Sequence, residues 1–228
     1  MAAPPSLSLL TYNVLAPCYY RCGGRQRESA VPERWVARLT RCIDAAFAAD
    51  VDVLCFQEVW TREPRVLRLL EERVGHKCYW LNRSGTKEDG VAIVVRSVNP
   101  TSGATVRALR RADVAFNSFG KRVALALLLE VCPTGAPAAA ARRVVVCTTH
   151  LTFPHSAFDE KLRFTQAALL AELTSRVAKS DGAFDARLSA RDALRAAGVA
   201  GPCSDGAVGT VSCTAVCGDD SGGAAEVD

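Results

Sequence analysis

The chain reads Leu-Cys-Phe-Gln-Glu-Val at residues 54–59, an apolar run that ends in an amide and a carboxylate. A glutamate at the end of a buried strand is costly unless something neutralises it, and a divalent cation is a common solution. We therefore consider Glu58 a candidate metal ligand. Taken alone, a salt-bridged or solvated carboxylate at a strand end is the more ordinary interpretation, so the rest of the sequence has to decide.

The residues before this stretch predict a strand, a helix and a second strand. Residues 6–12 are strand-like and Asn13 follows them directly. Residues 32–48 carry apolar side chains at helical spacing, with Pro32 suited to the first turn. Residues 51–56 form the second predicted strand. A connection of this kind favours two neighbouring parallel strands joined by a right-handed crossover.

The remaining elements alternate in a way that favours antiparallel ladders in the middle of the chain. We predict strands at residues 78–81, 91–95, 104–109, 123–131 and 144–149, and helices at 63–74 and 156–177. Ser156 and Asp159 are placed as a cap of the last helix. A final apolar run, 211–217, precedes Gly-Asp-Asp-Ser at 218–221 and repeats the opening strand, helix and strand.

This pattern places four polar residues at the carboxyl ends of predicted strands: Asn13, Glu58, His150 and Asp219. In open α/β sheets the crevice at those ends is where ligands bind, so we expect these side chains to share one pocket. Amide and carboxylate oxygens suit Mg²⁺ or Mn²⁺ better than zinc. His150 would then face a phosphoryl oxygen and donate a hydrogen bond or a proton to it.

Composition limits the class of protein without deciding its function. The 228 residues are 49% hydrophobic and 23% charged, with a net charge of +4, which fits one core and is compatible with a phosphate-bearing substrate. Most of the cysteines lie in or beside apolar runs, and we expect them to be reduced. No apolar run reaches the roughly 18 residues that a transmembrane segment needs, and no signal peptide is evident. The expectation is a cytoplasmic protein.

Six short motifs in register resemble the endonuclease/exonuclease/phosphatase superfamily. They lie at residues 10–15, 55–59, 89–93, 122–124, 149–151 and 217–219. Two stretches are most similar to the deadenylase-related branch. They are Tyr-Asn-Val-Leu-Ala at 12–16 and the run at 150–155, which is followed by Arg163 and Gln166. That branch includes nocturnin, angel and carbon catabolite repressor-type nucleases.

The resemblance implies an α/β fold, a four-layer sandwich of two packed mixed β-sheets flanked by helices. It also implies magnesium-dependent hydrolysis of phosphodiesters, with RNA 3′-exonuclease activity as the first expectation and sphingomyelin or inositol phosphates as an alternative. By the same resemblance, Glu58 binds the cation and Asn13 helps to hold the site. His150 contacts the scissile phosphate, and Asp219 orients the attacking water or the phosphate. We assign substrate binding to three further residues: Asp89, Arg122 and Ser221.

Two departures from the family pattern lead to further expectations. Asp220 and Ser221 stand where the family has an asparagine two residues after the aspartate, and the serine has a shorter reach. No Asp-His dipeptide, the family's general-base pair, occurs in the sequence. We therefore expect a catalytic domain over residues 6–220 that is incomplete at its C-terminus, a disordered tail at 221–228, and, as an alternative function, a non-catalytic remnant that binds phosphate or RNA.

Overall fold

The computed structural model describes residues 6–116 and 120–179, together with the backbone of two further strands, Leu188–Ser189 and Val208–Ala215. In chain order the elements are β1 Leu9–Asn13, α1 Pro32–Ala48, β2 Val53–Val59, α2 Pro64–Glu71, β3 His76–Asn82, β4 Gly90–Arg96, β5 Val98–Asn99, β6 Ala104–Ala115, β7 Val123–Pro133, β8 Arg142–Thr149, α3 Ala157–Lys179, β9 Leu188–Ser189 and β10 Val208–Ala215. Short 3₁₀ helices occupy Glu28–Ala30 and Ala138–Ala140.

The first sheet contains the strand, helix and strand that the sequence predicts. Its strand order is β1-β2-β4-β3, with β1 and β2 parallel and the other pairs antiparallel. The connecting helix, α1, has the predicted bounds and carries Pro32 in its first turn. It buries Trp35, Leu39 and Ile43 one helical turn apart, so one face of α1 covers the sheet.

The second sheet is antiparallel in every described pairing and has the order β8-β7-β6-β10-β9, with β5 paired to β6. Leu169, Leu173 and Val177 of α3 pack on its outer face. The two sheets lie face to face between the helices. This confirms the expected four-layer sandwich. We expected two mixed sheets, but only the first is mixed in the described pairings, whereas the second is antiparallel.

Alternation along β2 shows why this strand reads as a continuous apolar run. Val53 and Cys55 face the other sheet, while Leu54 and Phe56 face α1 and α2. All four are at most 3% exposed. A strand covered on both faces has no position for a polar residue until it leaves the sandwich, and Gln57 and Glu58 mark that point.

The second strand, helix and strand unit is not parallel, contrary to our expectation. The strand Val208–Ala215 runs antiparallel beside β6, with Thr210 opposite Ala115 and Ala215 opposite Arg110. Because β6 ends at Ala115, the carboxyl end of β10 points away from that end of the sheet. Hydrogen bonding to the edge of β6 decides this orientation, which a local apolar pattern does not encode.

Several element bounds differ from the predicted ones for local reasons. The sixth strand continues past its predicted end at residue 109, because its backbone stays paired with β7 as far as Ala115. Arg111, within this extension, forms an ion pair with Asp113 at 2.8 Å. Helix α2 begins after Glu63, whose side chain accepts from the Arg65 N–H, and ends at Glu71 instead of residue 74. Ser156 caps α3 as predicted, since its Oγ accepts from the Asp159 N–H at 3.2 Å.

The apolar spacing in residues 156–177 predicts that Phe158 shares one helix face with Leu169 and Leu173, but Phe158 is 70% exposed. The helix buries side chains only from Gln166 onward, so its first two turns lie outside the packed layer.

Four predictions lie outside the described residues: the site residues Asp219 and Ser221, the domain end at residue 220 and the tail at 221–228. Among the described residues, no helix combines the length and the apolar character that crossing a membrane requires.

Candidate functional site

Asn13 and Glu58 meet at the carboxyl edge of the first sheet. Strands β1 and β2 are parallel and in register, with Asn13 opposite Gln57, so both strands deliver their last side chains to the same edge. The Asn13 amide Nδ2 donates to the Glu58 carboxylate Oε1 at 2.9 Å. The structure therefore brings these two predicted site residues into direct contact.

Glu58 reaches this position through a β-bulge. The pairing of β2 with β4 shifts register between Gln57 and Val59, and Glu58 adopts a left-handed conformation with φ +54°. For a bulky side chain this conformation costs about 1–2 kcal/mol, and such strain persists only where the surroundings hold it. The bulge re-aims the carboxylate toward Asn13.

A second left-handed residue, Leu15 with φ +53°, shapes the turn after β1. Asn13 Oδ1 accepts from the Leu15 N–H at 2.9 Å, and the Ala16 N–H lies 3.4 Å from Glu58 Oε2. The turn thus presents one amide donor to each oxygen of Glu58.

The carboxylate of Glu58 is suited to a divalent cation. Its side chain is 13% exposed, so it is neither sealed in the core nor freely solvated. An ionised carboxylate has about four lone-pair sites, and the contacts with Asn13 and Ala16 occupy two. Magnesium sites commonly use only one or two carboxylates. The donor set therefore fits Mg²⁺ or Mn²⁺, although the described residues hold no cluster of three or more His, Cys, Asp or Glu suited to a metal ion.

His150 follows β8 and brings the second sheet to the same site. Its Nδ1 lies 3.6 Å from Glu58 Oε1 and 3.3 Å from Arg122 Nη1. Burial lowers the pKa of His150, and the Arg122 charge lowers it further, although Glu58 acts in the opposite direction. Because a guanidinium only donates, the contact with Arg122 requires an unprotonated Nδ1, and we assign the proton of the neutral ring to Nε2.

Arg122 directly follows the turn at Gly120 and Lys121 and is half-buried. Burial lowers the pKa of Arg122, and the neighbouring charge of Arg83 adds to this effect. An arginine remains charged under these conditions, since its ordinary pKa is above about 12. The site therefore combines one carboxylate, one neutral imidazole and one partly desolvated guanidinium.

Asp89, another predicted substrate-binding residue, is 1% exposed, and its carboxylate already accepts hydrogen bonds within the protein. It accepts from Tyr19 Oη at 2.5 Å and from Arg83 Nη1 at 3.2 Å. Arg83 also donates to the Lys121 carbonyl at 3.0 Å. These contacts tie Asp89 to the turn before Arg122, and its direct role in substrate binding stays a prediction.

Sequence reasoning missed Gln57, Tyr19 and Arg83. Gln57 Nε2 donates to Thr148 Oγ1 at 2.9 Å and to Thr11 Oγ1 at 3.0 Å, which joins the two sheets beside Glu58. The amide next to Glu58 at a strand end was a usable signal for Gln57. Tyr19 and Arg83 lie in loops with no spacing pattern, so only the fold reveals their contacts.

The loop after His150 is fixed by α3, which fits the motif that includes Arg163 and Gln166. Gln166 is fully buried, and its Oε1 accepts from the Thr152 N–H at 3.0 Å. Arg163 Nη1 donates to the Thr152 carbonyl at 3.0 Å. His150 is therefore presented by a braced loop.

The chain belongs to the endonuclease/exonuclease/phosphatase family, whose sequence profile matches residues 10–179. Protein angel homolog 2 of Homo sapiens is 33% identical over 159 residues, which are 66% of this chain and 27% of that protein. An uncharacterized calcium-binding protein of Arabidopsis thaliana is 27% identical over 176 residues, 73% of this chain and 35% of that protein. The similarity to angel proteins confirms the branch that the motifs indicate.

Solved structures show the same fold. A crystal structure of ANGEL2, a 2′,3′-cyclic phosphatase, in complex with adenosine-2′,3′-vanadate superposes with a TM-score of 0.53 at 24% identity, covering 78% of this chain and 50% of that chain. A mannosyl-6-phosphatase of Bacteroides thetaiotaomicron gives a TM-score of 0.53 at 16% identity, covering 85% and 71%. The chain thus spans about half the length of ANGEL2 in that structure and about a third or less of the curated relatives named above.

Proposed function

We propose that this chain is a divalent-metal-dependent phosphoesterase domain that acts on phosphate esters of RNA. The observation that carries the proposal is the Glu58 carboxylate, bonded to Asn13 and placed 3.6 Å from a histidine that burial and Arg122 keep neutral. Membership of the endonuclease/exonuclease/phosphatase family supports the reaction class.

Each residue of the site has a role that its contacts support. Glu58 would hold Mg²⁺ or Mn²⁺, with Asn13 fixing the direction of its carboxylate. When bound, such a cation supplies Lewis-acid polarisation of a phosphoryl oxygen. The Nε2–H of His150 donates to the phosphate as negative charge develops, and Arg122 adds a fixed positive charge beside it. In this proposal Asp219 orients the attacking water, on the motif match alone, and Ser221 contacts the phosphate from the position where the family has an asparagine.

The substrate proposal rests on the angel-like branch. ANGEL2 is described as a 2′,3′-cyclic phosphatase and was crystallised with an adenosine-2′,3′-vanadate. This favours RNA ends as the substrate and makes a 2′,3′-cyclic phosphate a specific second candidate beside 3′-exonucleolytic cleavage. Sphingomyelin and inositol phosphates complete the set of substrates to compare.

The test is hydrolysis by the purified 228-residue chain with Mg²⁺, Mn²⁺ or a chelator. The substrates are matched RNA oligonucleotides that end in a 3′-hydroxyl or a 2′,3′-cyclic phosphate, with sphingomyelin and an inositol polyphosphate beside them. We expect RNA-end turnover that the chelator abolishes and that Glu58→Ala lowers at least about 100-fold, because essential metal-dependent steps are worth several kcal/mol. Turnover that survives both changes would refute the metal assignment.

The alternative is a non-catalytic domain that binds phosphate or RNA, since the Arg122 guanidinium beside His150 would contact a phosphate whether or not cleavage follows. The same oligonucleotides separate the two functions. Binding of labelled RNA without turnover in any metal condition supports the alternative, whereas chelator-sensitive turnover excludes it. Glu63→Ala, which removes a carboxylate from the N-cap of α2, is the control for general damage to the fold.

A further inference from the structure

The turn that carries Asn13 is held from behind by Arg38 of α1. Arg38 Nη1 donates to the Val14 carbonyl and Nη2 donates to the Leu15 carbonyl, both at 2.7 Å. The same guanidinium forms an ion pair with Glu28, with 2.6 Å between Nη2 and Oε2. One planar group therefore joins α1, a carboxylate of the 3₁₀ helix Glu28–Ala30 and the turn after β1.

Glu28 fixes the orientation of this guanidinium. It is 3% exposed, and its two carboxylate oxygens also accept from Arg38 Nε at 3.0 and 3.1 Å. A buried carboxylate requires a charged, hydrogen-bonded partner, and the fork of Arg38 meets that need. The backbone of Glu28 is held in turn, since its N–H donates to the Tyr20 carbonyl at 2.9 Å.

The carbonyls that Arg38 binds lie next to the groups that bind Glu58. Leu15 is the left-handed residue of the turn, and its N–H bonds the same Asn13 side chain that donates to Glu58. Strained backbone persists only where several contacts define it together. Arg38 therefore holds one side of the turn, and Asn13 presents the other side to the carboxylate.

We propose that Arg38, oriented by Glu28, is a positioning residue for the metal-binding carboxylate. Without the bonds from the Arg38 guanidinium, the turn at Leu15 relaxes and the Asn13 side chain no longer points at Glu58. Glu58 then binds a divalent cation less tightly. This inference rests on the proposed function, because it takes Glu58 as the metal ligand. It assigns the effect to a side chain that touches neither the cation nor the substrate.

Arg38→Lys is the informative substitution. Lysine keeps the positive charge beside Glu28, but one ammonium group cannot reproduce a planar fork that contacts two carbonyls and a carboxylate. Arg65→Lys is the matched control. Arg65 pairs with Glu63 at 2.7 Å and lies 4.6 Å over the Trp35 ring, as Arg38 lies 5.5 Å over Tyr20. Its carboxylate partner caps α2 instead of bracing the site.

The measurement is Mn²⁺ binding to the whole chain by electron paramagnetic resonance, below the onset of unfolding, for wild type, both arginine variants and Glu58→Gln. Outer-shell partners of metal ligands typically contribute about 10–100-fold in metal affinity, so we expect Arg38→Lys to weaken binding about tenfold and Arg65→Lys to leave it unchanged. In the metal-free protein, NMR signals of the Asn13 side-chain amide should shift in Arg38→Lys and stay in place in Arg65→Lys.

The outcomes separate this inference from the proposed function. Wild-type affinity in Arg38→Lys, or an equal loss in both arginine variants, overturns the inference and leaves the metal site intact. Mn²⁺ binding that Glu58→Gln does not weaken overturns the proposed metal site itself. If Arg38→Lys does not fold, Glu28→Gln replaces it, because that change removes only the charge that orients the fork. For Glu28→Gln, a loss of Mn²⁺ affinity smaller than about tenfold supports the inference, and unchanged affinity overturns it.

Discussion

At the scale of single residues, the site is built from backbone conformations that most side chains avoid. Leu15, Glu58 and Lys121 all have φ between +51° and +54°, and Gly120 has φ +78°. Each lies in or beside a segment that carries a site residue, whereas Asp50, the fourth non-glycine residue with positive φ among the described residues, lies before β2 at the other end of the sheet. Such clustering is typical of functional sites, where surrounding contacts hold the strain in place.

Gly120 is required for two reasons. Its φ is positive, and an added Cβ would lie 2.6 Å from Thr152 Oγ1 and 3.3 Å from Gln166 Nε2. We expect Gly120→Ala to lower the free energy of unfolding by more than about 2 kcal/mol, since a left-handed alanine alone costs about 1–2 kcal/mol. Denaturant unfolding measures the change.

Gly135→Ala is the control for this prediction, because Gly135 has φ +77° with no atom within 4 Å of an added Cβ. It carries the conformational cost without the collision. Equal losses in the two variants would contradict the close approach between Gly120 and the loop after His150.

At the scale of elements, a polar cluster at the opposite end of β2 joins three segments. Asp52 is fully buried and accepts from the Ser8 N–H at 2.7 Å, from Ser8 Oγ at 2.6 Å and from Ser102 Oγ at 2.7 Å. The contacts tie the residue before β1 and the turn before β6 to the start of β2. The cluster therefore joins the start of β1 to the start of β2, at the end of the sheet opposite Asn13 and Glu58.

The cluster predicts a pH dependence of stability. Burial alone would raise the pKa of Asp52, but the hydrogen bonds from Ser8 and Ser102 outweigh it and lower the pKa. A lowered pKa in the folded state gives stability that is full above the unfolded value, about 3.9, and lost as pH falls through the folded value. Unfolding free energies measured from pH 7 to pH 2.5 should fall most steeply below about pH 4.

Asp52→Asn tests this assignment. We expect it to be destabilised by about 1.5–3 kcal/mol at pH 7, because hydrogen bonds to a charged group have this worth, and to lose less stability than wild type on acidification. Glu130→Gln, at a partly exposed pair with Arg107, is the control. Parallel acid profiles of wild type and Asp52→Asn would show that Asp52 does not carry the effect.

At the scale of the whole molecule, the site exists only because two sheets meet face to face. Glu58 and Asn13 come from the first sheet, whereas Arg122 and His150 flank β7 and β8 of the second. Gln57 and Thr148 bond across the gap at 2.9 Å. Assembly of the sandwich thus creates the pairing of carboxylate and imidazole that the proposed function needs.

Binding of a divalent cation to the folded site should stabilise the whole chain. At a Mg²⁺ concentration 100 times the dissociation constant, linkage predicts about 2.7 kcal/mol of added stability, which thermal unfolding detects as a raised midpoint. We expect Glu58→Gln to remove the Mg²⁺ response. A midpoint that rises equally in both proteins would indicate binding elsewhere.

Much of this architecture could be predicted from local pattern. The bounds of α1, the parallel pair of β1 and β2, and the cap at Ser156 follow from apolar periodicity and turn chemistry. The placement of β10 and the exposure of Phe158 did not follow, because pairing partners and the extent of helix packing depend on distant parts of the chain.

The candidate site divides in the same way. The sequence by itself determined the residue types and the strand ends, and so predicted Asn13, Glu58 and His150, while Arg122 was predicted from the motif at 122–124 that resembles the family. Only the tertiary structure decided that Glu58 sits in a left-handed bulge, that Arg122 meets His150 Nδ1, and that Arg38 braces the turn. The physical reason is that chemical identity is carried by each residue, whereas its direction is set by contacts between segments remote in sequence.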